Sequence, residues 1–432
     1  MFCQLEILLD CLPPSVQHTL EELPDSLDET YERILREIRK PNQRLAHRLM
    51  QCLVAAVRPL QVKELAEVLA FNFDAEGIPK LNSNWRWEDQ EGAVMLACSS
   101  LVMIVKYGDL RIVQFSHFSV KEFLMADRLA EPMRDVSRYH IGLEAAHTIL
   151  ARACLGVLLQ LDDRVNRDNI QGLPLALYSA QYWPTHARFE NVSSQIKDCT
   201  ECLFDEDKPH FATWLWAFND DGWSKDIPTM CPAKPSSVPL YHAARLGFRD
   251  LAAHLIAEHP EHINARGWGG FAPIHVAASA GHVDISALLL ERGADADSRN
   301  NYNQTPLHWA AVSGKVEASK YLLDCGADIN ARNDLHATPL YLAARSGHVG
   351  FVRMLLERGA RIDFRDDQGR TQLHLAVERG EIKAARLLLE HGADANARDD
   401  SGMTPLETPS QSEFISRQEF VELFSMYGAE PL

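Results

Sequence analysis

The C-terminal half of the chain repeats one sequence block every 33 residues. The block occurs as APIHVAASAGH from Ala272, TPLHWAAVSGK from Thr305, TPLYLAARSGH from Thr338, TQLHLAVERGE from Thr371 and TPLE from Thr404. A more divergent copy, VPLYHAARLGF, starts at Val238. One such unit is too small to bury its apolar side chains, so units of this kind must stack to form a core. The period therefore predicts an elongated array.

Each copy predicts two helices and a projecting turn. Thr at the block start can cap the first helix through its hydroxyl, and Pro fits the first helical position because no backbone N–H is needed there. The Ala-Ala pair lets the second helix approach closely. A glycine after each helix can adopt a left-handed conformation and end it. These glycines are Gly281, Gly314, Gly347 and Gly380 after the first helices and Gly293, Gly326, Gly359 and Gly392 after the second.

This pattern closely resembles the ankyrin repeat. The resemblance implies an α-solenoid with β-hairpin tips, built from six repeats at residues 234–267, 268–300, 301–333, 334–366, 367–399 and 400–432. Ala272 lacks the capping hydroxyl, and Gln372 replaces the proline. Asn303 and His336 stand where the family prefers a turn glycine, so we expect a strained or reshaped turn at His336. The last copy departs most from the pattern and is expected to form a C-terminal cap.

The resemblance implies that the hairpin tips and the concave face bind a partner protein. Positions that differ between otherwise similar copies are the candidates, because exposed aromatic and arginine side chains make good binding anchors. At the tips they are Trp268, Phe271, Asn301, Tyr302, Gln304, Leu335, Gln368, Arg370 and Met403. At the ends of first helices they are Arg345, Glu378 and Arg379.

Several of these aromatic and histidine positions have a structural alternative. For Trp268 and Phe271 the alternative is packing between neighbouring tips, and Trp309 is expected in the core. The resemblance implies that the histidine that three of the blocks carry at their fourth position hydrogen-bonds the backbone across the turn, not that it serves catalysis or metal binding. These histidines are His275, His308 and His374.

The N-terminal part, residues 1–130, predicts a winged-helix domain. Helical segments come first, followed by two strands at LVMIVKY and LRIVQFSHF with a tight turn at Tyr107–Asp109. A winged helix often binds DNA, but this segment carries 14 Lys and Arg against 19 Asp and Glu. Binding to phosphates requires the opposite balance, so DNA binding is disfavoured.

The segments LDETYERIL, RPLQVKELAEVLA and FSHFSVKEFL resemble the winged-helix region of NACHT-type STAND proteins, signal-transducing switch NTPases that are common in fungi. The resemblance implies that His117 contacts a nucleotide phosphate when a NACHT domain is present. The alternative is that His117 only caps the following helix. The P-loop pattern does not occur, since the Gly314-Lys315 pair is followed by Val316. We therefore expect that the chain is not itself an NTPase, and that its first residues are the end of an NTPase domain lying upstream.

Residues 131–233 predict a helical connector, and prolines at Pro228, Pro232, Pro235 and Pro239 mark its end. Cys199 and Cys202 form a C-x-x-C pair, with His210 and Cys231 downstream. A zinc site usually has two close ligand pairs. Because only one pair is present, we expect no metal here and interpret both cysteines as free thiols.

Composition restricts the function classes further. The net charge is -17, and the nine cysteines are scattered, as in a reducing compartment. No signal peptide or apolar run long enough for a membrane span is evident. We expect a mainly α, cytoplasmic, non-enzymatic protein with no cofactor and no nucleic-acid, membrane or small-molecule partner. The predicted role is the sensor half of a STAND-type signalling or self-recognition protein, as in fungal innate immunity. The alternative is a truncated nucleotide-driven switch.

Overall fold

The computed structural model describes residues 26–73, 77–82, 89–98, 100–131, 135–162, 164–166, 170–218, 235, 237–409 and 417–429. The chain divides into two compact units, residues 1–233 and 234–432. The N-terminal stretch interpreted as the end of an NTPase domain, Cys231, Pro228 and Pro232 lie outside the described residues. None of the helices described below combines the length and apolar character needed to span a bilayer.

The N-terminal part of the first unit consists of a small three-stranded sheet and the helices around it. Its helices are α1 (Leu27–Glu37), α2 (Gln43–Ala55), α3 (Val62–Leu69), α4 (Gln90–Cys98) and α5 (Phe118–Met125). Its strands are β1 (Leu60–Gln61), β2 (Phe71–Asn72), β3 (Lys80–Leu81), β4 (Val102–Tyr107) and β5 (Leu110–Phe115). The main sheet has the order β1-β5-β4 and is antiparallel, and β2 pairs with β3. The sequence pattern predicts β4 and β5 but not the two-residue strands, which are too short to show an alternating pattern.

Helix α5 begins directly after β5, as its apolar spacing predicts. Val120, Phe123 and Leu124 are buried, and Leu129 is buried in the 3-10 turn Asp127–Ala130 that follows. On α1, Tyr31 and Leu35 are buried, and the Tyr31 ring lies 5.4 Å from that of Phe123. This contact fixes α1 against α5.

The remaining helices of the first unit form the connector. They are α6 (Leu143–Leu158), α7 (Ala176–Ala187), α8 (Val192–Gln195), α9 (Lys197–Leu203) and α10 (His210–Phe218). Helix α6 packs against α2 and α7. The Trp183 and Trp214 rings, 5.6 Å apart at 72°, form the centre of an aromatic core, and Trp214 Nε1 donates to the Ala180 carbonyl at 3.1 Å. The connector therefore shares one compact unit with the winged helix.

The second unit is a stack of helix pairs. They are α11 (Pro239–Leu246) with α12 (Arg249–Glu258), α13 (Pro273–Ala280) with α14 (Val283–Glu291), α15 (Pro306–Ser313) with α16 (Val316–Asp324), α17 (Pro339–Arg345) with α18 (Val349–Glu357), and α19 (Gln372–Arg379) with α20 (Ile382–Glu390). The last described helix is α21 (Arg417–Ser425). First helices pack on neighbouring first helices, and second helices on second helices. The buried Ala pairs, such as Ala310 and Ala311, permit this close approach. The mainly α fold class is confirmed.

The glycines that end the first helices adopt the predicted left-handed conformation, and two non-glycine residues at the tips adopt it as well. Gly281, Gly314 and Gly380 end their helices with φ between 68° and 84°. Asn303 and His336 also have positive φ, 57° and 54°, so the turn at His336 keeps the shape of the glycine turns at a cost in backbone strain of about 1–2 kcal/mol. Each tip is a turn closed by a backbone hydrogen bond, without a strand ladder among the described residues.

Candidate functional site

Backbone hydrogen bonds join the tips of the second, third and fourth repeats into one edge, and the tips of the fifth and sixth repeats are joined in the same way. At the tip of the third repeat, the side chain of Asn300, the last residue of the second repeat, accepts hydrogen bonds from the backbone N–H groups of Tyr302 (3.0 Å) and Gln304 (2.9 Å), which fixes the turn. Asn333, Asp366 and Asp399 make the same pair of bonds in the following repeats. Neighbouring tips are linked by backbone bonds from Asn301 to Gly269, Asp334 to Tyr302 and Asp400 to Gln368. The edge is therefore preorganised.

Three large apolar side chains project from this edge into solvent. Trp268 is 50% exposed, Tyr302 57% and Leu335 64%. We call these three residues the apolar tip row. Asn301 and Gln368 are also exposed, whereas Gln304 and Met403 are partly covered. The tip row belongs to the second, third and fourth repeats, so its members lie on successive tips.

The structure places Phe271 in packing. It is 6% exposed, and its ring meets that of Trp309 edge to face at 4.8 Å. Trp309 is half-buried and donates from Nε1 to the Gln304 side chain at 2.9 Å. Phe271, Gln304 and Trp309 therefore link the second and third repeats, and packing is the interpretation that this geometry supports for Phe271.

Arg370 and Glu378 belong to an ion-pair network. Arg370 donates to Asp366 at 2.9 Å and to Glu378 at 3.0 Å, and its guanidinium also lies 3.4 Å from the Tyr341 hydroxyl. Tyr341 in turn donates to Asp366 at 2.5 Å. By contrast, Arg345 and Arg379 end their helices with exposed side chains. Of the candidate charges, Arg345 and Arg379 are thus the more accessible to a partner.

The block histidines form bridges between repeats. His308 Nδ1 accepts from the Thr305 backbone N–H at 3.1 Å, and Nε2 donates to the Ala337 carbonyl of the next repeat at 3.0 Å. His275 and His374 make equivalent bonds. The Thr305 hydroxyl approaches Nδ1 of His308 at 2.9 Å, so it serves the imidazole and does not cap the helix directly. Burial lowers the pKa of His275 and of His308 to about 4 and also lowers the pKa of His374. These imidazoles are neutral structural groups.

His117 caps α5. Its Nδ1 lies 2.6 Å from Ser119 Oγ and accepts from the Ser119 N–H at 3.3 Å. Ser119 Oγ lies 2.7 Å from the Tyr31 hydroxyl, so α1 supports the same arrangement. Because Nδ1 is the acceptor, the proton of the neutral imidazole sits on Nε2. His117 is exposed, so that N–H is available to an acceptor from outside.

Cys199 and Cys202 are free thiols on α9. Burial raises the pKa of the Cys199 thiol to about 11, so it is not a thiolate at neutral pH. His210 Nδ1 lies 2.9 Å from the Leu161 carbonyl. Among the described residues, the ligand atoms of Cys199, Cys202 and His210 do not lie close enough together to form a three-residue metal site.

One cluster of side chains that could bind a metal ion was not predicted from the sequence. His259, Glu261 and His262 lie together between the first and second repeats. The available signal was the sequence EHPEHIN, which replaces the glycine-containing turn of the other repeats.

Comparison with known families agrees with this geometry. Residues 240–333 and 340–432 match the family description "Ankyrin repeats (3 copies)". The second unit is an ankyrin-repeat array. Residues 31–133 match "GPI inositol-deacylase, winged helix domain", a domain found in NACHT-type proteins. The predicted ankyrin repeats and winged helix are therefore confirmed, and ankyrin repeats support a role in protein–protein binding.

Individual relatives are similar over parts of their length. The chain is 29% identical over 293 residues to the azaphilone pigments biosynthesis cluster protein L of Monascus ruber, covering 64% of this chain and 61% of that protein. It is 35% identical over 65 residues to alpha-latrocrustotoxin-Lt1a of Latrodectus tredecimguttatus, covering 15% of this chain and 5% of the toxin. It is 38% identical over 58 residues to BCL-6 corepressor-like protein 1 of Mus musculus, covering 13% and 3%. The chain thus spans less than two thirds of each of these proteins.

Proposed function

We propose that the chain is a non-enzymatic interaction protein whose ankyrin array binds a protein ligand. In this role the array is the sensor half of a STAND-type signalling or self-recognition protein. The single observation that carries the proposal is the apolar tip row, Trp268, Tyr302 and Leu335, on a preorganised edge. No cofactor or small-molecule substrate takes part in this proposed function.

The energetics of binding favour this edge. Trp and Tyr side chains dominate the binding energy of protein interfaces, at about 2 kcal/mol or more for each hot spot. A rigid edge avoids much of the ordering cost that a flexible loop would incur on binding. Arg345 and Arg379, exposed at the ends of first helices, extend the proposed surface onto the concave face.

The location of the partner can be tested by site-specific crosslinking. A photo-crosslinking amino acid replaces Tyr302 or Leu335 in the chain, and Val283 serves as the control, because it is exposed on the second helix α14, away from the tips. We expect one partner protein to crosslink at both tip positions and not at Val283. Equal crosslinking at all three positions would contradict the tip placement.

The identified partner then allows a quantitative test. The triple variant W268S/Y302S/L335S should weaken its binding by about 30-fold or more, the equivalent of one hot spot of about 2 kcal/mol. Replacing exposed side chains changes the free energy of unfolding by about 0.5 kcal/mol or less each, so the fold is retained. An unchanged dissociation constant in a correctly folded triple variant would refute the proposal.

We propose a cytoplasmic location for this activity. Five cysteines in the described residues, Cys52, Cys154, Cys199, Cys202 and Cys325, are free thiols. Free thiols are typical of a reducing compartment.

A second candidate function is a nucleotide-driven switch whose P-loop domain belongs to a longer chain. It is favoured by His117, whose Nδ1 is occupied by Ser119 and whose Nε2–H is exposed as a donor suited to a phosphate oxygen. Two variants separate this role from capping. Asn caps helices well, so H117N keeps the cap and removes the imidazole, whereas H117A removes both.

The switch role predicts that both variants change signalling, and only in a chain that carries the P-loop domain. If H117N behaves as the wild type while H117A loses about 0.5–2 kcal/mol of stability, capping is the whole role of His117. An equal effect of H117A in the chain without a P-loop would point to the same conclusion.

A further inference from the structure

The first repeat ends its second helix differently from the four that follow. In those repeats the helix is followed by Gly-Ala, as in Gly293-Ala294, and each of these glycines has positive φ. In the first repeat Pro260 stands in the place of Gly293, and Glu261 in that of Ala294. With His259 before them and His262 after, three metal-ligating side chains occur within four residues.

The local backbone brings these side chains together. Pro260–Asn264 forms a 3-10 turn, with the His262 N–H donating to the His259 carbonyl at 3.0 Å. Residues three apart overlie one another in a 3-10 helix. The rings of His259 and His262 are accordingly stacked at 5.0 Å and 25°. His259 Nδ1 lies 3.4 Å from Glu261 Oε1, and one ligand atom of each residue lies within 4.8 Å of the other two.

This donor set suits a transition-metal ion. Zn²⁺ binds imidazole nitrogen and carboxylate oxygen at about 2.0–2.2 Å, which places tetrahedral ligands about 3.3 Å apart. Small side-chain rotations close the present separations to that value, because Glu261 is exposed and both imidazoles are partly exposed.

We propose that His259, Glu261 and His262 bind one Zn²⁺ ion, with water completing the coordination. The site sits at the boundary between the first two repeats. Asn264 of the same turn donates to the Gly293 carbonyl at 3.1 Å and accepts from the Asp295 N–H at 3.0 Å. An ion held by the turn therefore stabilises the joint between the first and second repeats.

The test uses the full chain carrying Cys325→Ser, because Cys325 is an exposed thiol that would bind metal independently. Co²⁺ binding is followed by visible absorption, and Zn²⁺ affinity by competition with a chromophoric chelator. The site variant is H259Q/H262Q. The matched control is H391Q, since His391 occupies the position of His259 in the fifth repeat and is followed by Gly392 and Ala393.

We expect one equivalent of metal bound by the Cys325→Ser chain and by H391Q in that background. H259Q/H262Q should lose affinity by more than tenfold, because removing even an outer-shell partner costs about 10- to 100-fold. Zn²⁺ should also raise the melting temperature of the Cys325→Ser chain but not that of the site variant.

Two results would overturn the proposal. One is equal metal affinity in H259Q/H262Q and H391Q. The other is a sulfur shell around the bound zinc in X-ray absorption, which would assign the metal to cysteines. Nitrogen and oxygen ligands at about 2.0–2.1 Å support it.

Discussion

Acid should destabilise the ankyrin array through its bridging histidines. His308 has a pKa of about 4 in the folded chain, against an ordinary value of 6.5, because burial disfavours its charged form. The unfolded chain thus takes up this proton at a higher pH than the folded chain. The stability contributed by neutral His308 is fully present above pH 6.5 and is lost as the pH falls toward 4.

The difference between the two pKa values gives the magnitude. One pKa unit corresponds to about 1.4 kcal/mol, so His308 alone accounts for about 3 kcal/mol over the whole window. Between pH 7.5 and pH 5 its share is about 2 kcal/mol. His275 has the same pKa and should contribute a similar amount. Their sum is a large fraction of the 5–15 kcal/mol that stabilises a typical domain.

Urea unfolding of wild type and H308Q at pH 7.5, 6 and 5, followed by circular dichroism, measures this share. Glutamine can still donate to the Ala337 carbonyl but does not titrate. H308Q should be less stable than wild type at pH 7.5 by about 1–3 kcal/mol. The difference in stability between wild type and H308Q should be about 2 kcal/mol smaller at pH 5 than at pH 7.5. The exposed His391 is the control, and H391Q should follow the wild-type pH dependence. A gap between wild type and H308Q that stays constant with pH would refute the reasoning.

Two further predictions concern stability measured by urea unfolding. G314A should lower the free energy of unfolding by at least about 1 kcal/mol more than G326A does. Both glycines have positive φ, but a Cβ on Gly314 would lie 2.8 Å from His348 Nδ1, whereas no neighbouring heavy atom lies within 4 Å of a Cβ on Gly326. Equal losses of stability in the two variants would contradict this steric argument. R370A should cost about 1.5–3 kcal/mol because Asp366 and Glu378 lose their charged partner. R345A, at an exposed arginine, should change stability by about 0.5 kcal/mol or less; a similar loss in both variants would mean that the ion pairs contribute nothing.

Much of the array could be predicted from the sequence because its signals are local and repeated. The glycine after a first helix and the proline at its start act on their own backbone, so each similar copy predicts the same helix boundaries independently, although the fifth copy has Gln372 in place of the proline. The winged helix was predictable for a related reason, since β4, β5 and α5 are long enough to show their periods. Strands β1 and β2 are two residues long and arise from pairing with distant residues, which no local pattern records.

The candidate binding residues were harder to predict, because exposure depends on neighbours in space. Tyr302 and Leu335 are exposed, whereas Phe271, which is as variable in sequence, packs against Trp309. Arg370 is held by Asp366 and Glu378, which lie four and eight residues away. Sequence variation between copies identified all of these positions. It could not separate side chains that face solvent from side chains that join two repeats.

The bridges made by the fourth residue of each block, a histidine or Tyr341, are of two chemical kinds, and this divides the array. Neutral imidazoles link the second repeat to the third, the third to the fourth and the fifth to the sixth. The fourth and fifth are linked instead through Tyr341, Asp366 and Arg370, where the carboxylate and the guanidinium form an ion pair that stays charged in mild acid. Each repeat contacts mainly its neighbours, so weakening one joint separates the segments on either side. Mild acid should therefore weaken the array at three joints and spare the one between the fourth and fifth repeats.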